Sequence, residues 1–586
     1  MENLYQERKR KTILFISGGL IGLAIFIAIY GVGIINSFSD SLIYKGYIEK
    51  DIAQHYAGWL LYKNSPWQFP LGVGENIAYP YGNAVTFTDS IPLFAIFFKI
   101  FKGILPRTFQ YFGIFVMLCF VLQGAFGALL AGLFNKNTAA DCLCAAILVF
   151  SPIMLERAFR HCALSAHFLI LATLYFYFSG KEKKGFKAYL PFYVLNLLAV
   201  MIHPYFMPFT FGIMFAFAIE KVFSEKRTTP ALHILGSIAA TVAVGYIIGI
   251  FYVGGSLSSL GYGYFSMNLN ALYNPVSKGF DNWSGALEIK PNLLGQMEGF
   301  NYLGLGILIF LPVAAAMYVF MFKKQIFSAC LKFCKEHFGI IFSTAALTVF
   351  AIGDWIRFGG LNLFRLPIPE SITNGIFGIF RANGRFGNML VYMTVLFVLY
   401  ALLKIKKPML SAALLVLLLM VQVYDMRGVL ASKHAYFTGV EGDMQSQEAS
   451  LTISSDFWQD AAQNYDFALY IYSPVNNSCI DIAQAFGRRG KAVNTAFEAK
   501  VDYDKYNSLC QKAKEDILGG SLSEDTIVVC PVETQEMADA IRQNGYSVFY
   551  TDGITVICKS KFSENDLEKY KNSGDFRILE YPYSLQ

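Results

Sequence analysis

The sequence predicts an α-helical polytopic membrane protein, about eleven transmembrane helices followed by a C-terminal extracytoplasmic α/β domain. Three observations predict it. Of the 586 residues, 55% are hydrophobic and only 15% charged, where a soluble chain of this length carries about 25% charge. The apolar residues gather into runs suited to a hydrocarbon core, at 12–35, 109–134, 139–155, 163–179, 187–202, 205–223, 230–252, 301–322, 337–353, 386–403 and 409–424. From about residue 425 onward, short strand-like segments alternate with helical ones. The 54 Phe and 35 Tyr suit lipid contact and interfacial aromatic belts.

The N-terminus reads Arg8-Lys9-Arg10-Lys11 and then runs apolar to Ile35. That run is too long for a signal-peptide core and has no small-residue cleavage site, so it reads as a retained first span with its basic end inside. Ser90–Leu105 is short and interrupted by Lys99 and Lys102. If it does not cross, the basic loops at Lys136, Lys181–Lys184, Lys221–Arg227, Lys323–Lys335 and Lys404–Lys407 all fall on the side of the N-terminus. The positive-inside rule expects that placement. The segment therefore reads as an interfacial or re-entrant helix on the outer face. Eleven spans then put the C-terminus outside a bacterial cytoplasmic membrane. The domains that follow are 1–424 in the membrane, with 36–108 as a long first outer loop, and 425–586 as the soluble domain. The net charge of +6 is dispersed and no nucleic-acid motif is present, so nucleic acid is not an expected partner.

In the tail, Phe467–Tyr472, Thr526–Val529, Tyr546–Tyr550 and Ile554–Ile557 read as strands, with Tyr503–Leu518 and Glu533–Gln543 as helices between them. No GxGxxG or phosphate-cradling loop appears, which leaves a packing or binding appendage as the plain reading. The ten cysteines contain no CxxC and no zinc spacing. Cys119, Cys142 and Cys144 fall in spans. Cys479, Cys510, Cys530 and Cys558 fall in the outer domain, where pairing is open but unreadable.

The outer loops (36–108, 253–300, 354–385) are long and rich in aromatic, Gly, Asn and Pro residues, while the inner ones are short and Lys-rich. Long loops without the composition of disorder are where chemistry is expected. Four polar clusters stand there. In Asp51–Trp59, Asp51 and His55 are four apart on one helix face, as a general base and its orienting partner would be; an acid at the start of an interfacial helix reads equally. Tyr79-Pro80-Tyr81-Gly82 leads to Thr88-Asp89-Ser90, where Thr88 or Asp89 could cap the next helix, with Pro92 in its first turn. Arg157, Arg160 and His161 follow i, i+3, i+4 spacing, which suits a phosphate or, alternatively, interfacial snorkelling. Arg381 and Arg385 are again four apart, with Gly384 arguing for a bend. Outer loops after residue 110 hold six arginines and two lysines, a choice that anion binding explains and simple solvation does not. His203-Pro204-Tyr205 breaks between two spans. Glu298, just ahead of Tyr302 at a span entrance, is a helix-start charge or a ligand.

With these motifs assembled, the chain resembles the GT-C superfamily of membrane glycosyltransferases, and more narrowly the bacterial domain-of-unknown-function family 6311. The resemblance runs through Asp51–Trp59, Phe69–Gly72, Tyr79–Gly82, Thr88–Ala95, Ser151–Leu164, His203–Phe206, Glu298–Gly306 and Phe380–Phe386, about two-thirds of the chain. It implies transfer of a sugar from a polyprenyl-phosphate carrier to a glycan, lipid or protein acceptor on the outer face, usually with inversion. It makes Asp51 the candidate catalytic base and Asp89 a second acidic position that helps the acceptor or a metal. Arg157, Arg160, Arg381 and Arg385 would hold the leaving phosphate, with His55, His161, His203, Glu298 and Tyr302 in the substrate site. Many relatives carry an acidic residue in the second outer loop; here that loop offers Glu156, two arginines and His161. A divalent cofactor (Mg or Mn) is therefore an open expectation, and a metal-free mechanism fits as well. Two other classes compete: a flippase or transporter of a lipid-linked or anionic substrate, and a non-catalytic envelope assembly protein. Transporters usually show internal repeats and mid-membrane charge, and neither is visible here.

Overall fold

A computed structural model describes residues 2–40, 43, 51–253, 261–277, 281–439, 453, 455–472, 477–572 and 575–581. The chain forms two compact units. One comprises Met1–Asn36, Phe112–Ala243 and Ser256–Gln445; the other comprises Ser37–Tyr111, Val244–Gly255 and Ser446–Gln586.

Each of the eleven apolar runs contains a helix. Among the described residues, eight helices are long and apolar enough to cross a membrane: Tyr5–Tyr30, Phe112–Ala131, Cys162–Ser179, Pro204–Glu225, Thr229–Ile247, Leu305–Phe322, Asn383–Leu403 and Pro408–Asp425. The pair Ile326–Glu336 and Phe338–Ile352, bent by 82°, gives a ninth if it is one span. Thr138–Val149 and Phe186–Ile202 are apolar but shorter. The protein is thus a multi-pass membrane protein with about eight candidate full-length spans among the described residues, and some of the eleven expected runs form shorter helices. The shortest of these has a local cause at 139–155. Ser151 precedes Pro152 and is pushed into an extended conformation (ψ 120°), so the helix stops and a separate single turn, Pro152–Leu155, begins. Twelve helical residues reach about 18 Å, well short of a hydrocarbon core of about 30 Å. Ser90–Leu105 yields only the eight-residue helix Pro92–Lys99 before the chain turns. At about 12 Å it is too short to cross.

Packing in the first unit depends on small residues. A Cβ on Gly18 would lie 2.3 Å from the carbonyl oxygen of Gly124, and one on Gly22 would lie 2.1 Å from that of Phe120. The first and second spans therefore meet backbone to backbone, as a small-xxx-small stripe allows. Gly18 and Gly22 are a GxxxG pair in plain sight within an apolar run. Between the spans, Trp355–Phe358 and Leu361–Arg365 form an antiparallel hairpin. The Asn268 side-chain amide ties its loop to Gln296 (2.8 Å) and to the carbonyl of Gly359 (2.9 Å).

The second unit is built on a six-stranded mixed sheet. Its strands are β1 (Phe467–Tyr470), β2 (Ala492–Val493), β3 (Thr526–Val529), β4 (Ser547–Thr551), β5 (Ile554–Cys558) and β6 (Arg577–Ile578), in the order β6-β4-β5-β3-β1-β2. β1 pairs parallel with β2 and β3; the remaining pairs are antiparallel. Helices Tyr503–Leu518 and Gln535–Gln543 lay Ala513, Ile517, Met537, Ala538 and Ile541 against Leu469, Val528, Val548 and Ile557. Cys479, Cys510, Cys530 and Cys558 are buried and not joined in disulfides.

The helix Asp51–Asn64 belongs to this unit. It is buried continuously over Ile52–Lys63, so it is a core helix and not one lying on an interface. Helix Asn477–Arg488 covers it. The Gln484 amide donates to the Ala53 carbonyl (3.1 Å), and the Asn64 amide donates to that of Gly487 (2.7 Å). Trp59, fully buried, donates its indole N–H to the Phe109 carbonyl at 2.8 Å.

Burial pushes the Glu498 carboxyl up to about 6, against the opposing hydrogen bonds from Ala496 N–H and the Thr495 hydroxyl. A carboxyl raised on folding contributes stability that is complete below its unfolded value near 4.5 and lost as pH rises through about 6. The swing expected between pH 4.5 and pH 7 is about 2 kcal/mol. Thermal unfolding of Glu498→Gln at the two pH values should show a smaller pH difference than the wild type.

Candidate functional site

The predicted residues fall into two groups, one in each unit. In the second unit, Asp51 stands in the first turn of its helix and His55 is fully buried one turn on. Asp89 follows a short 3-10 turn, Val85–Thr88, in the left-handed conformation (φ 54°), and Ile91 repeats it (φ 53°). Non-glycine residues rarely adopt that region, Asp being among the more tolerant. Neither Thr88 nor Asp89 caps the following helix. Its N-cap is Ile91, without a side-chain cap, and Pro92 stands in the first turn as expected. Thr88 donates to the Val85 carbonyl instead and lies 2.8 Å from the Ser90 hydroxyl.

The Asp89 turn is fastened to the Asp51 helix. The Ser90 hydroxyl donates to the His55 carbonyl at 2.6 Å, and Tyr111 donates to the Ser90 carbonyl. Gly58 gives the turn room: a Cβ there would sit 2.0 Å from the Thr88 hydroxyl oxygen and 2.7 Å from that of Ser90. The ligating atoms of His55 and Asp89 lie within 4.8 Å of each other. A carboxylate beside an imidazole can relay a proton. As a donor set, one nitrogen with one carboxylate suits manganese or zinc better than magnesium, which takes oxygen ligands. Gly58→Ala is expected to cost about 1–3 kcal/mol by overpacking, read as a lower melting temperature, and to displace the Asp89 turn.

In the first unit, Glu156, Arg157 and Arg160 follow the single turn Pro152–Leu155, on irregular turns rather than on a helix end. Phe159 anchors the segment in the left-handed region (φ 61°), its ring 4.8 Å from Tyr30 and 4.7 Å from Phe437. The arginines are held by carboxylates. Glu156 takes Arg157 Nε at 2.9 Å and Arg160 Nη1 at 2.5 Å. Glu298 takes Arg157 Nη1 at 3.2 Å and Arg385 Nη2 at 2.8 Å, and its own carbonyl accepts Arg157 Nη2 at 3.0 Å. Asp281 lies 3.9 Å from Arg160. Burial alone would raise the Glu156 carboxyl, but the charges of Arg157 and Arg160 outweigh it and hold the group below its usual value.

Arg385 lies over the Tyr205 ring (4.9 Å), whose hydroxyl accepts the Ala382 N–H (2.9 Å). His203 accepts the Tyr205 N–H at Nδ1 (3.2 Å) and meets His161 edge to face at 5.6 Å. Gly384 bends the chain as expected, packing on Gly299 and Ser266, and Arg381 points outward over Phe265. The structure thus gathers Arg157, Arg160, Arg385 and Glu298 in one ionic network, with His161 and His203 as a ring pair. Tyr302 stands apart from it, fully buried with its hydroxyl on Asp425 (2.6 Å) in a helix-end network. Two participants were not picked out from sequence, Tyr205 and Asp281. Tyr205 sits inside a noted motif, whereas nothing local marks Asp281.

Apolar spans, a small mixed-sheet domain and buried ionic and acidic clusters define a multi-pass membrane protein with a built polar centre in each unit. The chain belongs to the family described as Domain of unknown function (DUF6311), whose profile matches residues 19–427. The DUF6311 C-terminal domain matches residues 457–559. No curated protein matches the chain.

Proposed function

We propose that the protein is a membrane glycosyltransferase, moving a sugar from a polyprenyl-phosphate carrier to an acceptor hydroxyl at the outer face of the bacterial cytoplasmic membrane. One observation carries the reading: Asp89, which caps no helix, is held in a left-handed conformation on a turn fastened to the helix of Asp51 and His55. Backbone strain at an acid marks a place where side-chain direction outweighs backbone comfort. In this reading Asp51 is the base that accepts the acceptor's proton, with Asp89 supporting it. The acceptor oxygen bonds to the anomeric carbon as the bond from that carbon to the phosphate oxygen breaks, and polyprenyl phosphate leaves with the electron pair. Within the first unit, the exposed Arg381 is the cation most open to an anion, whereas Arg157 and Arg385 are already partly neutralised by Glu156 and Glu298.

The first unit also offers an apolar groove of about 960 Å³, open mouth included, walled by Phe211, Phe215, Ile238, Val242, Phe342 and Leu347. It suits an isoprenoid tail. The test is transfer of radiolabelled polyprenyl-phosphate sugars to a membrane extract by the full-length protein in lipid, comparing wild type with Asp51→Asn. Donor-dependent transfer lost in a folded mutant is the expected result. Transfer that survives moves the base to Asp89. No transfer with any donor overturns the reading.

A further inference from the structure

The second unit contains a cleft that the transfer chemistry does not use. It encloses only about 40 Å³, so a ligand lies across its mouth rather than inside it. One wall is the loop Tyr79–Asn83 and another is the helix Tyr503–Leu518; Tyr252 and Glu498 close it. Tyr81 and Tyr252 are 41% and 40% exposed, and the Tyr252 hydroxyl donates to the Tyr81 carbonyl at 2.9 Å, which fixes the two together. Lys505 stands 5.5 Å over the Tyr81 ring and 3.3 Å from Asp502. Glu498 is nearly fully buried at the back.

We infer that this cleft, at Tyr81, Tyr252, Glu498 and Asp502, binds a neutral saccharide, and that the acceptor of the proposed transferase is therefore a glycan. The second clause rests on the glycosyltransferase reading; the first does not.

Three features select that ligand class. Exposed tyrosine rings are rigid, flat apolar platforms with a polar tip. A sugar presents a C–H face to stack on them and hydroxyls at its edge. The Asp502–Lys505 pair supplies an acceptor and a donor side by side, with Asp502 also accepting the Lys505 N–H, while the Glu498 oxygens are already taken by the Ala496 N–H and the Thr495 hydroxyl. With Glu498 and Asp502 against Lys505 alone, the lining favours a neutral ligand over an anionic one. A peptide strand would need an open sheet edge. The edge nearest the cleft, β2, is already covered: Val493 donates its N–H to Asn76 and accepts that of Tyr79.

The test uses full-length protein in lipid and a panel of neutral oligosaccharides (malto-, cello-, xylo- and manno-series) with an acidic oligosaccharide as contrast. Binding is read by saturation-transfer NMR and by tyrosine fluorescence. At least one neutral series should bind saturably, and the acidic one should bind more weakly. The double variant Tyr81→Ala/Tyr252→Ala should weaken binding about tenfold or more, while Tyr81→Trp keeps it. Both rings are exposed, so these variants should fold, and an unchanged melting temperature checks that. Absence of binding by every neutral series, or binding unaltered in the double variant, overturns the cleft. Asp51→Asn should leave oligosaccharide binding intact. Binding without transfer from any donor would overturn the transferase reading while the cleft stands. Transfer that proceeds unchanged in the double variant would overturn the glycan-acceptor assignment while the transferase stands.

Discussion

Glu298→Gln is expected to destabilise the protein by about 3–5 kcal/mol, the usual cost of removing one partner from a buried ion pair. The reason is geometric. A single carboxylate oxygen of Glu298 serves both Arg157 Nη1 (3.2 Å) and Arg385 Nη2 (2.8 Å), and the three side chains are only 7–13% exposed. Glutamine keeps the shape but removes the charge that the two guanidiniums share. Like charges then face each other in a medium that screens them poorly. The measurement is chemical unfolding in detergent followed by tryptophan fluorescence, with Glu564→Gln in the exposed first turn of a surface helix as the control. Adding Arg385→Gln to Glu298→Gln should recover part of the loss, because it removes one of the stranded charges. A cost under about 1 kcal/mol would mean that the network behaves as a solvated surface pair. Acid should weaken the same network. Glu156 is held below its unfolded value of 4.5, so its contribution is present above that value and lost as pH falls through the folded one.

Asp89→Asn should leave stability almost unchanged and cut transfer by about 10²–10⁴-fold, the range for an acid–base group. Asparagine tolerates the left-handed conformation that Asp89 adopts (φ 54°) as well as aspartate does. The turn is also held by Ser90 on the His55 carbonyl, Thr88 on Val85, and Tyr111 on Ser90, and asparagine keeps a side-chain oxygen acceptor at the same place while removing the charge. Asp89→Gly should separate the two effects further, relieving backbone strain of about 1–3 kcal/mol while activity stays low. A melting temperature and an initial transfer rate on each variant decide the matter. An Asp89→Asn protein that folds and transfers at the wild-type rate would leave Asp89 without a chemical role.

The apolar runs were legible because the bilayer imposes a length and a composition that no soluble helix needs. The strands of the tail were legible because each is short, aromatic or β-branched, and bounded by turns. The exceptions have physical causes. Thr138–Val149 stopped early because Pro152 governs Ser151. The Asp51 helix could not be recognised as a core element because the helix that buries it begins at Asn477. Periodicity reports only that a face is apolar, not what covers it. Arg157, Arg160 and Arg385 were read as an open anion site from their type and spacing. What spacing cannot carry is the distant partner: Glu298 lies 141 residues from Arg157 and 87 from Arg385, and only Glu156 is local.

The burial of Asp51–Asn64 by Asn477–Arg488 also sets a timetable for synthesis. The first of these helices emerges long before the second exists. Some 413 residues separate the end of one from the start of the other. At about 5–20 residues per second, that is roughly 20–80 s of translation. For that interval Ile52, Tyr56, Trp59 and Leu60, all buried in the finished protein, have no native cover. Segments with such an apolar load are natural clients for holding chaperones or for transient shelter at the lipid surface. A ribosome stalled before the tail, or a frameshift within it, leaves an incompletely folded segment at the opposite end of the gene. Nascent chains cut at residue 440 should therefore be degraded at the Asp51 region first.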